Sequence, residues 1–196
     1  MLGVDVGNAL EVAGAVAYLT GSGVREPRLH EVTMALAGEM LALGKLVPDA
    51  AAGRARAEAA LADGRAAETF ARMVSALGGP DDLLEHPARY LPPAPVIRAC
   101  TAERSGHVVS MNARQVGIAV VALGGGRSHA DDAIDPTVGL TDVIDVGAQV
   151  RAGSPLCVVH AASDAAAEEA IDLVRRAIRI GDAPPPHRRV IMERLA

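Results

Sequence analysis

The stretch "LPPAPVIRACTA", from Leu91 to Ala102, is where the chain changes texture. Pro92, Pro93 and Pro95 resist both helix and central strand, because each fixes φ and removes a backbone donor. Before them, apolar residues recur at helical spacing; after them, short alternating runs lie between turn residues. The expected fold class is therefore α+β. A helical segment covers residues 1–91, and an α+β domain covers residues 92–196.

Working back from Leu91, four helices are expected. Asn8 caps the first, with Glu11 three residues later in a capping-box pattern. Val12, Val16 and Leu19 share its apolar face, and Gly21 ends it. Pro27 suits the first turn of the second helix. Its stripe is Leu29, Val32, Leu36, Met40 and Leu43, stopped by Gly44. Pro48 and Asp49 open an Ala-rich third helix, which ends at Asp63–Gly64. A fourth runs from Arg65 to Leu77, before the breaker Gly78–Gly79–Pro80.

Working forward, strands are expected at Val96–Ala102 and His107–Met111, around a turn at Arg104–Ser105–Gly106. Asn112 caps a helix through Leu123, and Gly124 terminates it. Strands follow at Thr137–Asp145 and Leu156–Ala161. Ser163 caps a last helix reaching Ile180, and a short final strand lies near Arg189–Met192.

Composition narrows the function classes. A chain of 196 residues needs no disulfide or metal to hold its core. Half of it is hydrophobic but only 2% aromatic, so the core is Leu, Val, Ile and Ala. The net charge of −5 argues against a nucleic-acid backbone as partner. No run of about 18 apolar residues suggests a membrane span, and no leader opens the chain, which implies a cytoplasmic protein. Cys100 and Cys157 lie in apolar runs without metal-ligand or redox spacing, and are expected as buried, inert thiols.

The stretch "VVALGGGRSHADDAID" (Val120–Asp135) is the most conspicuous candidate site. A phosphate cradle needs a helix N-terminus, whereas Gly124, Gly125 and Gly126 follow a helix C-terminus. No Gly-Lys-Ser/Thr follows them. Arg127, on a glycine hinge, can still reach an anion bidentately. His129, Asp131, Asp132 and Asp135 fit neither a calcium loop nor a zinc pair, so no metal is expected there. The paired turns of "VGAQVRAGSPLCVVHA" (Val146–Ala161) look like the flattened barrels of biotinyl and lipoyl carriers. Carrier attachment needs a hairpin lysine, and the chain's single lysine is Lys45, in the helical half.

Five segments together carry a family resemblance. "VGNALEV" (Val6–Val12), "YLTG" (Tyr18–Gly21), "PRLHEVTMALAGEML" (Pro27–Leu41), "GRAAETFARMVSALGG" (Gly64–Gly79) and "VGIAVVALGGGRSHADDAIDPTVGL" (Val116–Leu140) resemble, in order, the thymidine and pyrimidine nucleoside phosphorylases. The thymidine branch is the closer match. The resemblance implies a pentosyltransferase (a glycosyltransferase of nucleoside salvage and pyrimidine metabolism). Its reaction converts thymidine and phosphate to thymine and 2-deoxyribose 1-phosphate, with phosphate as co-substrate and no cofactor.

It also implies that residues 1–91 are helices of an α/β phosphate-binding domain. Residues 92–196 would form a C-terminal α+β domain with a flattened biotinyl-like barrel or sandwich. The family's Lys-His-Ser-Thr-Gly-Gly phosphate segment and its Arg, Ser and Lys base-binding set lie upstream of the position matching Gly7, and none occurs here. The expectation is a C-terminal fragment, inactive alone, that carries no catalytic residue. Its partner is the missing N-terminal half or a homodimer mate, and nucleoside and phosphate bind only in the intact enzyme.

Gly124, Gly125, Gly126 and Arg127 match a loop that closes over substrate in relatives. A helix stop followed by a crossover loop describes the same residues without a ligand. A monovalent cation held in some relatives would need main-chain oxygens at Leu2 and Asp5 and a carboxylate where this chain has Gly14, so no occupied metal site is expected. The alternative function is a non-catalytic interaction module or a split-enzyme subunit that pairs with a separate catalytic chain. Either way, helical stripes that normally cover a sheet from the absent half are expected to be exposed.

Overall fold

The computed structural model describes residues 1–186 and 189–194. It is α+β, with seven helices and two antiparallel sheets among those residues. Two compact units are present. One joins Gly3–Ala13 to residues 91–186; the other holds Gly14–Tyr90 and residues 189–194. The opening residues belong with the sheet unit because strand β1 (Val6–Gly7) pairs with strand β4 (Gly139–Thr141).

In the helical unit, helix α1 (Asn8–Thr20) continues from the sheet unit and is followed by α2 (Pro27–Leu43), α3 (Ala50–Ala62), α4 (Arg65–Ala76) and the short α5 (Pro87–Tyr90). The starts follow local chemistry. The Glu26 carboxylate accepts the Arg28 and Leu29 N–H groups ahead of Pro27, and Asp49 Oδ1 accepts Ala52 N–H at 2.8 Å. Helices α2 and α3 meet at a glycine pair. A Cβ placed on Gly53 would lie 2.4 Å from the Gly38 carbonyl oxygen.

That crossing decides which side of α2 is covered. Met34 and Gly38, one turn apart, are buried, whereas Leu36, Met40 and Leu43 of the expected stripe are 59%, 72% and 81% exposed. Arg54 on α3 ties the two helices further. Its guanidinium forks onto both Glu31 carboxylate oxygens at 3.0 and 2.8 Å.

In the sheet unit, the larger sheet has the order β1-β4-β6-β2, with β2 at Val96–Thr101 and β6 at Pro155–Ala161. The smaller has the order β5-β3-β7, with β3 at Gly106–Met111, β5 at Gln149–Val150 and β7 at Ile178–Gly181. Helices α6 (Ala113–Ala122) and α7 (Asp164–Ala177) complete one core with both sheets. Val108, Val116, Leu140, Val159 and Val174 are fully enclosed in it. Helix α7 turns Ala167, Ala170, Ile171 and Val174 inward, the spacing of a single face.

Several expectations are corrected. Neither sheet closes on itself, so the barrel is absent and two open antiparallel sheets stand in its place. The last helix stops at Ala177, not Ile180. Ile178 and Ile180 instead pair with Met111 and Val108 of β3, where β-branched side chains pack well. The strand expected over Thr137–Asp145 shrinks to three residues, since Asp142, at φ 52°, leaves the extended region. Residues 189–192 form no strand, and Met192 is 85% exposed. Strands β1 and β5, of two residues each, and helix α5 were too short to leave a periodic signal. No helix among the described residues is long and apolar enough to cross a membrane.

Candidate functional site

The glycine loop is built on the end of α6. Gly124 N–H donates to the Val121 carbonyl and Gly125 N–H to the Val120 carbonyl, both at 2.9 Å, the double bond of a Schellman stop. Gly124 takes φ 93°, a conformation that Gly adopts without a Cβ penalty. Gly125 is required for space, because a Cβ there would lie 2.8 Å from Val120 Cγ1.

Beyond Gly126 the loop is held at both ends and free at its tip. Asp135 N–H returns to the Gly124 carbonyl at 2.9 Å, and the Pro136 carbonyl accepts Ala9 N–H at 3.0 Å. Asp135 Oδ1 takes both the N–H and the hydroxyl of Thr137. At the tip, Asp132 Oδ2 accepts the N–H groups of Ser128 and His129 at 2.9 and 2.8 Å. Arg127 Nε donates to the Asp132 carbonyl at 3.1 Å, and residues 127–131 are exposed. Asp132 and Asp135 are thus engaged in turn formation. His129 Nδ1 lies 3.7 Å from Asp132 Oδ2.

Asn8 takes a different role from the one its sequence suggests. Helix α1 already includes it, and the reach-back bond of Glu11 goes to Gly7 N–H at 3.1 Å. The Asn8 amide donates instead to the Gly125 carbonyl at 2.9 Å. A residue 117 positions away therefore anchors the base of the loop. The partner is invisible to local pattern, because nothing in "VGNALEV" encodes it. Asn8→Ala is expected to cost about 1 kcal/mol and to speed hydrogen exchange at the amides of residues 124–135 while sparing β6. Unchanged protection of those amides would show that Asn8 does not hold the loop.

Near β1, burial, with the neighbouring Asp142 and Glu11 carboxylates, pushes the Asp5 carboxyl above its ordinary range. For the cation implied by the resemblance, the donor set does not fit, since Gly14 has no side chain to supply the carboxylate. Groups of three or more His, Cys, Asp or Glu arranged to hold a metal are absent among the described residues.

Comparison with known proteins follows the same outline. Residues 107–181 match the family described as the pyrimidine nucleoside phosphorylase C-terminal domain. The chain is 53% identical over 182 residues to the thymidine phosphorylases of Burkholderia cenocepacia (strain HI2424), Burkholderia orbicola (strain AU 1054) and Burkholderia lata. Each alignment covers 91% of this chain and 41% of the relative, so the chain spans well under half the length of the curated proteins it matches. The chain is thus similar to the C-terminal domain of the pyrimidine nucleoside phosphorylases over residues 107–181, and to thymidine phosphorylases along most of its own length.

Proposed function

We propose that these 196 residues supply the C-terminal portion of a thymidine phosphorylase-type enzyme and do not turn over nucleoside alone. The observation that carries this reading is 53% identity to thymidine phosphorylases across 91% of the chain. The reaction passes phosphate to the anomeric carbon of thymidine while the base departs as an anion. Such chemistry needs cations and N–H donors around the phosphate and the leaving pyrimidine. The lysine- and serine-bearing segments that would supply them are missing from this sequence, whose one lysine is Lys45.

On this reading, the helices before Leu91 are part of a phosphate-binding α/β domain, and the two sheets form the flattened sandwich that follows it. Residues 124–127 act as a closure element, with Gly124 absorbing the dihedral change and Arg127 carried on the moving tip. The reaction needs phosphate as co-substrate and no cofactor, and proceeds in the cytoplasm. Partners are the N-terminal half or a second copy, without nucleic acid or membrane.

The test is complementation. The purified chain with thymidine and phosphate is expected to release no thymine above blank. Addition of the N-terminal half of the Burkholderia cenocepacia relative is expected to restore release. Turnover by the chain alone, or none after verified association, would defeat the proposal. The second reading is a non-catalytic interaction module, which would use the exposed Leu36, Met40 and Leu43 face for docking as the first reading also does. Under that reading, association occurs on mixing but thymine release does not follow.

A further inference from the structure

Cys100 and Cys157 stand directly opposite each other in the antiparallel ladder of β2 and β6. Both are fully buried in the core of the sheet unit and neither is bonded to another cysteine. Directly opposed residues in such a ladder have Cα atoms about 4.5–5.5 Å apart. A disulfide spans about 4.4–6.8 Å. Opposed residues also project to the same face of the sheet, so the two sulfurs meet with no change of register.

The surroundings differentiate the two thiols. The Cys100 thiol donates to the Ile171 carbonyl oxygen at 3.8 Å, and the facing Cys157 thiol and the Arg175 guanidinium both act on its sulfur. The facing Cys157 thiol, followed by the Arg175 charge, lowers the Cys100 thiol against the opposing effect of burial. The facing Cys100 sulfur, with burial, raises the Cys157 thiol. Arg175 is held in place by Nε donating to the Thr101 carbonyl at 3.2 Å. It also lines a cavity of about 150 Å³, together with Leu156, Ile178 and Glu103. A water molecule needs only about 10–15 Å³, so an oxidant the size of hydrogen peroxide fits beside Arg175.

We propose that Cys100 and Cys157 are a redox pair that closes to an intramolecular disulfide, joining β2 to β6, when the protein meets a peroxide. Cys100 sulfur attacks one peroxide oxygen and the O–O bond breaks. Cys100 becomes a sulfenic acid, and its thiol proton leaves with the departing oxygen as water. Cys157 sulfur then attacks Cys100 sulfur. The S–S bond forms, the S–O bond breaks, and the hydroxide leaves as water with the Cys157 proton. Two thiols and one peroxide thus give one disulfide and two waters, each sulfur losing one electron and the peroxide gaining two.

The experiment treats the native full chain with hydrogen peroxide at a dose that oxidises the exposed Met192 to its sulfoxide. Thiols are then titrated in denaturant and peptides mapped without reductant. Expected are two titratable thiols before treatment and none after, one linked pair joining the Cys100 and Cys157 peptides within a single chain, and full recovery of both thiols with dithiothreitol. In Cys157→Ser, Cys100 is expected to stop at a sulfenic acid that dimedone traps. Thiols that survive this dose, links between chains, or sulfinic acids in place of the disulfide would each overturn the proposal.

Discussion

Gly53→Val is expected to unfold the helical unit. Helices α2 and α3 touch backbone to backbone there, since a Cβ on Gly53 would fall 2.4 Å from the Gly38 carbonyl oxygen and 2.9 Å from Gly38 Cα. Gly38 is bound in return, for its own Cβ would lie 2.6 Å from the Ala50 carbonyl oxygen. No rotamer moves a β-branched side chain away from contacts made at Cβ itself. The two helices must separate, which opens the packing around Met34 and pulls Arg54 from Glu31. Overpacking ordinarily costs about 1–3 kcal/mol, and here the obstacle is rigid backbone, so a loss above about 3 kcal/mol is expected.

The milder Gly53→Ala separates cause from propensity. Alanine in a helix interior gains about 1 kcal/mol over glycine, so destabilisation by this change points to the crossing alone. Circular dichroism melts of both variants provide the measurement. A valine variant that melts within a degree of the parent would mean that the glycine contact does not hold the helices together.

Gly139→Ala is expected to detach β1 and loosen the candidate loop with it. Gly139 has φ 152°, and an added Cβ would lie 2.3 Å from the Val6 carbonyl oxygen and 3.1 Å from Gly7 Cα. Its partner Gly7 is equally confined, with a Cβ 2.8 Å from the Val138 carbonyl oxygen. Backbone strain and overpacking together are expected to cost about 2–5 kcal/mol. Since β1 leads straight into the α1 turn, the Asn8–Gly125 and Ala9–Pro136 bonds weaken with it. Hydrogen exchange at residues 124–137 should therefore accelerate together with the amides of β1. Retained protection across the loop, with only β1 exposed, would refute this coupling.

Where structure follows from neighbours, it was legible. The start of α3 at Asp49, the caps of α6 at Asn112 and α7 at Ser163, and the stop at Gly124 each depend on groups within a few residues. Helical periodicity is equally local, and it located α2 and α4 to within a residue. The prolines between Leu91 and Val96 separate the end of α5 from the start of β2 for the same reason. The candidate loop was visible as glycines and charge, and the likeness to the phosphorylases through its longer segments.

What lay beyond reach depends on contacts between distant parts of the chain. Ile178 became strand because β3 offered it a partner, overriding a helical run that is satisfactory by itself. Asn8 gave up its expected cap for a carbonyl 117 positions away. Leu36, Met40 and Leu43 of the apolar stripe of α2 pointed outward because a glycine crossing selected another side. Two cysteines with unremarkable spacing came face to face only through strand register. The amino-acid sequence alone determined the α+β class, most helix limits and the helix stop at Gly124, because caps, turns and propensities act over single turns of backbone. Tertiary structure decided which side chains meet, because register and helix crossing are set by packing across the whole core.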